Sequence, residues 1–487
     1  MRKRAAGYSL SFRVADKGIP EPNATTALNP APSQKKCGPW MILSTIMNDM
    51  NSLEKSRMHT TELILGQTLS FKGDPFVDGP EAAHYENRGA VAIRDGKITA
   101  VGPADKMKAN QDQAKITNMG DHLLMAGFVD AHVHYPQTAI VASWGKRLID
   151  WLNTYTFPEE SHFGDSNYAQ SIANTYCDFA LANGTTTAAS FCTIHPESVD
   201  AYFTAAAARN MRMVGGKTCM DRNAPNTLLD TAQSAYDDSK ALIDRWHNQG
   251  RSTYAITPRF SPTSTEDQLS ALGSLWSERP DCLMQTHLSE QHEEIAWVHK
   301  LFPNARDYLD TYEHHGLVRE GAIMGHSIHL TQREITKMRE ANVSVAHCPT
   351  SNTFIGSGLC DIVGLNKAGV TTGLATDTGG GSSFSMLRTM ASAYEVSQLR
   401  GSPLHPSQLL YLATVGSATT LGLSNKVGNL IEGNEADLIA LNLTSTDPIK
   451  LSAARASNIW EAIFPTIMLG DDRAIGGVWI AGNRTGL

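Results

Sequence analysis

The 487-residue chain carries 41 basic and 49 acidic side chains, a formal net charge of −8, with no basic stripe of the kind that grips nucleic acid or anionic lipid. It has no run of about 18 apolar residues, which excludes a membrane-spanning helix, and it is long enough to enclose a large core. Seven scattered cysteines (Cys37, Cys177, Cys192, Cys219, Cys282, Cys348 and Cys360) form no CxxC pair. That pattern argues against a disulfide framework or a cysteine-bound zinc, and for reduced thiols in a cytoplasmic protein.

Residues 1–57 open with a basic stretch and continue through a Pro-, Asn-, Ala- and Thr-rich segment that cannot bury much surface. They are expected to be a disordered or non-essential extension, with Met58 opening the folded protein. A targeting peptide is the other reading of the basic start, but the apolar stretch WMILSTIM is short, comes late and lacks a small-residue cleavage pattern.

From 58 to 127 the texture is β-like. ELILGQTLSF and GAVAIRDGKITAVG are rich in strand formers, and Asp95-Gly96 is a strong hairpin turn. The same texture returns between 428 and 487, in ADLIALNLT and GGVWIAGNRTG. The two ends of the chain are therefore expected to pair into one small β-sandwich domain.

Between them, over 128–427, eight apolar strand candidates alternate with helical patterns. They are LLMAGFVDAHVH, TTTAASF, MRMVGGKT, TYAITPRF, CLMQTHLSE, AIMGHSIHL, VSVAHCP and TTGLATDT. The segment TLLDTAQSAYDDSKALIDRWHNQG repeats its apolar residues at three and four, the helical period. Eight such units suit an α/β fold of the (β/α)8 barrel type. An open doubly wound sheet is the alternative. The barrel is favoured because ionisable residues gather at the strands' C-terminal ends, which converge only in a closed barrel.

Those ends carry the candidate chemistry. His132 and His134 end the first strand one residue apart, and residues i and i+2 of a strand share a face. The fourth strand ends in Arg259 and Phe260, the fifth in His287 with Glu290 three residues on, the sixth in His326 and the eighth in Asp377. Three histidines and a carboxylate can hold one divalent metal and leave a position for water, whose pKa the metal lowers toward neutrality. Glu290 is then placed to shuttle a proton, His326 to orient the water, and Asp377 to take its proton. Each residue also has a plainer reading. His326 is then a hydrogen-bonded core residue, Glu290 the solvated start of a helix, Arg259 the partner of a surface acid and Asp377 a helix N-cap. His347 is read as structural. His122, His247, His299, His314, His315 and His405 are read as surface residues.

No rival motif is present: there is no HExxH, no HxE with PCxxC, and no GK[ST] after Gly379-Gly380-Gly381. The order HxH, HxxE and a late strand-end Asp resembles the amidohydrolase superfamily. Within it, the segments HYPQ, DWLNTYTFPEE, MDRNAP, TPRFSPTS, HLSEQHEEIAWV, HCPTSNTFIGSGL and ATDTGGGSSFSML are similar to those of the guanine deaminase family. The resemblance spans roughly residues 60–480. It implies one Zn2+ held by His132, His134, His287 and Asp377, with Glu290 as proton shuttle and His326 beside the attacking water. It further implies guanine as the small-molecule substrate, bound by Gln137, Arg259 and Phe260, and a homodimer. Trp151 either stacks on the purine or packs the wall. Three alternatives remain beside it: deamination or dechlorination of a pterin or triazine, a binding protein that has lost catalysis, and a binuclear amide-ring hydrolase. The last needs a modified lysine, for which only Lys217 is available.

Overall fold

The computed structural model describes residues 61–486 apart from Asp112 and Lys146. The expectations for residues 1–57, Met58 and Cys37 lie outside the described residues.

The eight strands form as read. They are Phe128–Val133, Thr185–Phe191, Arg212–Gly216, Ser252–Pro258, Leu283–Leu288, Ala322–His326, Ser344–His347 and Thr372–Leu374, each parallel to the next. Helices intervene, as a parallel crossover demands. One covers Ala232–Trp246 and buries Ala235, Leu242 and Ile243, and Thr231 and Ser234 close a capping box at its start. Side chains from the first seven strands and from Ala375 meet in one cluster (Val129, Ala189, Val214, Ala255, Ile323 and Ala346 among them), with Leu283 packed against it. Only the inside of a closed barrel lets the first seven strands and the residue that follows the eighth meet around one cluster. Closure is made past the eighth strand: Asp377 N donates to His132 O and His134 N to Thr378 O, both at 3.0 Å. Beneath them, Asp130 accepts from Thr376 N at 2.9 Å and from Thr376 Oγ1 at 2.5 Å.

The two ends of the chain do meet. Leu438–Leu441 pairs antiparallel with Leu123–Ala126, which joins both ends into one sheet. Its strands run in the order Asn483–Arg484, Ile475–Ile480, Leu438–Leu441, Lys115–Ala126, Glu62–Phe71, Ala83–Arg94 and Lys97–Pro103. The hairpin at Asp95-Gly96 has φ of +52° and +75°, as a two-residue turn of this kind requires. The described strands outside the barrel belong to a single seven-stranded mixed sheet, and Ile64, Val91, Ile98, Leu124, Leu438 and Trp479, from six of its strands, meet in one buried cluster. Part of one face is covered by Ala104 and Met107 of the helix Ala104–Ala109, against Leu63, Leu65, Ala90 and Ala92. Residues that include Leu123, Met125, Ile439 and Val478 join the main core instead. Gly127 alone separates this sheet from the first barrel strand.

Candidate active site

Three strand ends turn sharply at the barrel mouth. Ser289, His326, Ser327 and Asp377 all have positive φ, between +49° and +63°. Such left-handed backbone is costly for residues with a Cβ and gathers at functional sites. Here it swings the side chains that follow the strands toward one point. Glycine is needed beside them. A Cβ on Gly325 would stand 2.9 Å from His132 Cε1, and one on Gly379, at φ +120°, 2.1 Å from Gln137 Oε1.

The four expected metal ligands converge. His134 Nε2 and His287 Nε2 lie 3.1 Å apart. Asp377 Oδ1 is 3.4 Å from His132 Nε2 and 3.6 Å from His134 Nε2. His287 Nδ1 faces the Arg259 carbonyl at 2.7 Å. A carbonyl only accepts, so Nδ1 carries the proton and Nε2 presents a lone pair toward the cluster. Both ring nitrogens of His132 are buried without a hydrogen-bond partner, an arrangement that costs free energy unless something binds there. Burial, foremost, lowers the pKa of His132, His134 and His287, so they stay neutral. Burial pushes Asp377 the other way, but His132 and His326 outweigh it and hold the carboxyl at about 2. Neutral imidazoles with one carboxylate form the donor set of a single divalent cation, and these residues fit it.

Glu290 and His326 complete the floor. Glu290 is 2% exposed and accepts from Ser357 Oγ at 2.7 Å. It precedes the helix His292–Leu301 but is not its solvated start. Burial raises its pKa, partly offset by His326. His326 Nδ1 lies 2.8 Å from Asn352 Oδ1, which turns Nε2 to within 3.5 Å of Glu290 and 3.8 Å of Asp377. His326 is thus hydrogen-bonded, yet it also lines the cleft. Asp377 is no N-cap, since the next helix, Met386–Leu399, is capped by Ser385.

The cleft above the cluster is walled by Gln137, Trp151, Leu152, Phe260 and Ile355, the mix of apolar walls and a few polar groups that small-molecule sites use. Trp151 both lines this cleft and is packed, 2% exposed, with its ring centroid 5.1 Å from that of Tyr155. Arg259 pairs with a buried acid rather than a surface one. Glu160 accepts from its Nη1 at 2.5 Å and its Nη2 at 3.1 Å, and also from Gln137 Nε2 at 2.8 Å. The sequence reading missed Glu160, Asn352 and Ser357, although all three sit in quoted segments. Their types gave no signal, because an acid, an amide and a hydroxyl in loops or short helices are common.

The remaining histidines divide. His299 and His314 are exposed, and His122, His315 and His405 are half-buried. His247 corrects the surface reading. It is buried, with Nε2 3.0 Å from Asp281 and Nδ1 accepting from Tyr254 N, so it ties the start of the fourth strand to the turn before the fifth. His347 is buried and pushed by burial to about 3, and it does not line the cleft. Lys217 is buried against Asp230, away from the cleft lining, which leaves the binuclear alternative without its lysine.

The model of the Amidohydrolase family matches residues 123–485, and that of an imidazolonepropionase-like composite domain matches 89–114. The chain is 41% identical to "Guanine deaminase" of Escherichia coli (strain K12) over 429 residues, 87% of this chain and 97% of that one. Its fold superposes on the crystal structure of guanine deaminase from Bradyrhizobium japonicum with a TM-score of 0.84 at 34% identity, covering 87% of this chain and 99% of the other. It also superposes on that of guanine deaminase from C. acetobutylicum, solved with guanine bound in the active site, with a TM-score of 0.79 at 28% identity, covering 87% and 100%.

Proposed function

The chain belongs to the amidohydrolase family, and from that premise we infer that it catalyses the hydrolytic deamination of guanine to xanthine and ammonia. The observation that carries this reading is the meeting, in one cleft, of the His/Asp cluster, Glu290 and the Arg259–Gln137 pair. The first makes a metal hydrolase, the second supplies a proton, and the third suits a purine carbonyl edge.

We take the metal to be one zinc ion held by His132, His134, His287 and Asp377, where it would act as a Lewis acid that acidifies water. The rest falls to the chain's own side chains. Glu290, whose pKa burial raises, gives its proton to a ring nitrogen next to C2; it then takes the proton of the new C2 hydroxyl and hands it to the amine as the C2–N bond breaks and ammonia leaves, and the proton held by Asp377 restores it. His326 hydrogen-bonds the attacking water from the side opposite Asn352, and Asp377 accepts its proton. A guanidinium has five N–H donors, and Glu160 engages one each from Nη1 and Nη2, so Arg259 still has donors for the purine carbonyl. Adenine would set its amino group against those donors, and a site built for one hydrogen-bonding group rejects such analogues by about 10⁴-fold or more. Phe260 and Trp151 flank the ring.

Arg259→Ala should raise the KM for guanine steeply while metal content stays unchanged. Unaltered kinetics would remove Arg259 from substrate binding. The reading also places the protein in the cytoplasm, in keeping with six free buried cysteines among the described residues, and as a homodimer, which sedimentation would test.

A further inference from the structure

Glu160 has no part in the chemistry above and does not itself line the cleft, yet it lies buried directly behind its wall, 1% exposed. It stands behind both polar groups offered to the purine edge, taking two N–H groups from Arg259 and one from Gln137. Arg259 is 3% exposed, and its guanidinium lies 5.6 Å from the centroid of the Phe157 ring. Among the described residues no other acid is paired with Arg259. A buried guanidinium with no counter-charge would attract any anion that fits the cleft. This matters because the two purines of the reaction differ in charge. Guanine is neutral near pH 7, whereas xanthine is more acidic and loses a ring proton close to neutrality.

Resting on the guanine deaminase reading, we propose that Glu160 is a positioning residue that cancels the charge of Arg259 and fixes the Gln137 amide, so that the site selects a neutral lactam and releases an anionic product. The acid keeps the directional hydrogen bonds of Arg259 and removes its pull on negative charge. Product release then does not have to overcome an ion pair.

The test uses Glu160→Gln, which keeps the size and one acceptor oxygen but not the charge. Purified metal-replete enzyme is assayed for guanine kcat and KM, and for inhibition by xanthine below and above neutral pH. The expected result is unchanged metal content, a higher guanine KM, and xanthine inhibition tightened about tenfold, as an uncompensated charge at contact distance allows, with the tightening growing as pH rises. A purely structural Glu160 would weaken guanine and xanthine together with no pH dependence, and that outcome overturns the proposal. If Glu160→Gln does not fold, Arg259→Gln is compared with the double variant Glu160→Gln/Arg259→Gln. An uncovered Glu160 should repel xanthine at high pH in the single variant only, and equal inhibition constants would sink the idea. Absence of ammonia release from guanine by the wild-type enzyme would instead defeat the deaminase reading itself.

Discussion

Glu290 is where the account is most exposed to a single substitution. Glu290→Gln should lower turnover by about 10²–10⁴-fold, as loss of a general acid–base does, with metal content retained because Glu290 is not a ligand. Full activity would remove it from the scheme. Ser357→Ala takes away a hydrogen bond that favours the ionised form of Glu290. It should therefore move the pH at which activity depends on this carboxyl upward, and a pH–rate profile would register the change. At this scale the sequence was informative wherever a residue type is rare at a strand end: His132, His134, His287, His326 and Asp377 were singled out that way, and the structure brings them together. It was silent on Glu160, Asn352 and Ser357, since what selects them is a partner more than 25 residues away in the chain.

The strands and their helices were legible because apolar runs and helical periods are local properties. The turns that aim the side chains were not: positive φ at His326 and Asp377 goes with contacts to other strands, Ser327 N to Leu288 O at 2.9 Å and Asp377 N to His132 O at 3.0 Å. Gly325 gives a test of that geometry. Gly325→Ala would force a methyl within 2.9 Å of the His132 ring, an overpacking that costs about 1–3 kcal/mol. The variant should unfold at lower denaturant and bind metal less tightly. Unchanged metal affinity would mean that the sixth strand does not set the position of His132. The segment Leu148–Glu160 carries Trp151 and Glu160 across a π-helical turn at Leu152–Thr156. Its apolar spacing gave no hint of that turn, and without it neither residue's approach to the cleft can be read.

Over the whole molecule, the meeting of both ends was visible as a likeness of texture, whereas the strand order of the one continuous sheet they form was not, because alternation along a strand does not say which strand it pairs with. The sheet is tied to the barrel by charge as well as by packing. Arg251 reaches Glu435 and Asp437, Arg212 also reaches Glu435, and Asp437 is 2% exposed. Breaking a buried network by removing one partner leaves a stranded charge, so Arg251→Ala should cost about 3–5 kcal/mol, measured by denaturant unfolding. All of these parts serve one claim, that a divalent cation held by His132, His134, His287 and Asp377 drives guanine hydrolysis. The most direct measurement is ammonia release from guanine by purified protein before chelation, after it, and after zinc is returned. Activity is expected before chelation, lost after it, and recovered with one zinc per chain. Activity that survives complete removal of metal, or a metal-replete protein inert toward guanine, would contradict that claim.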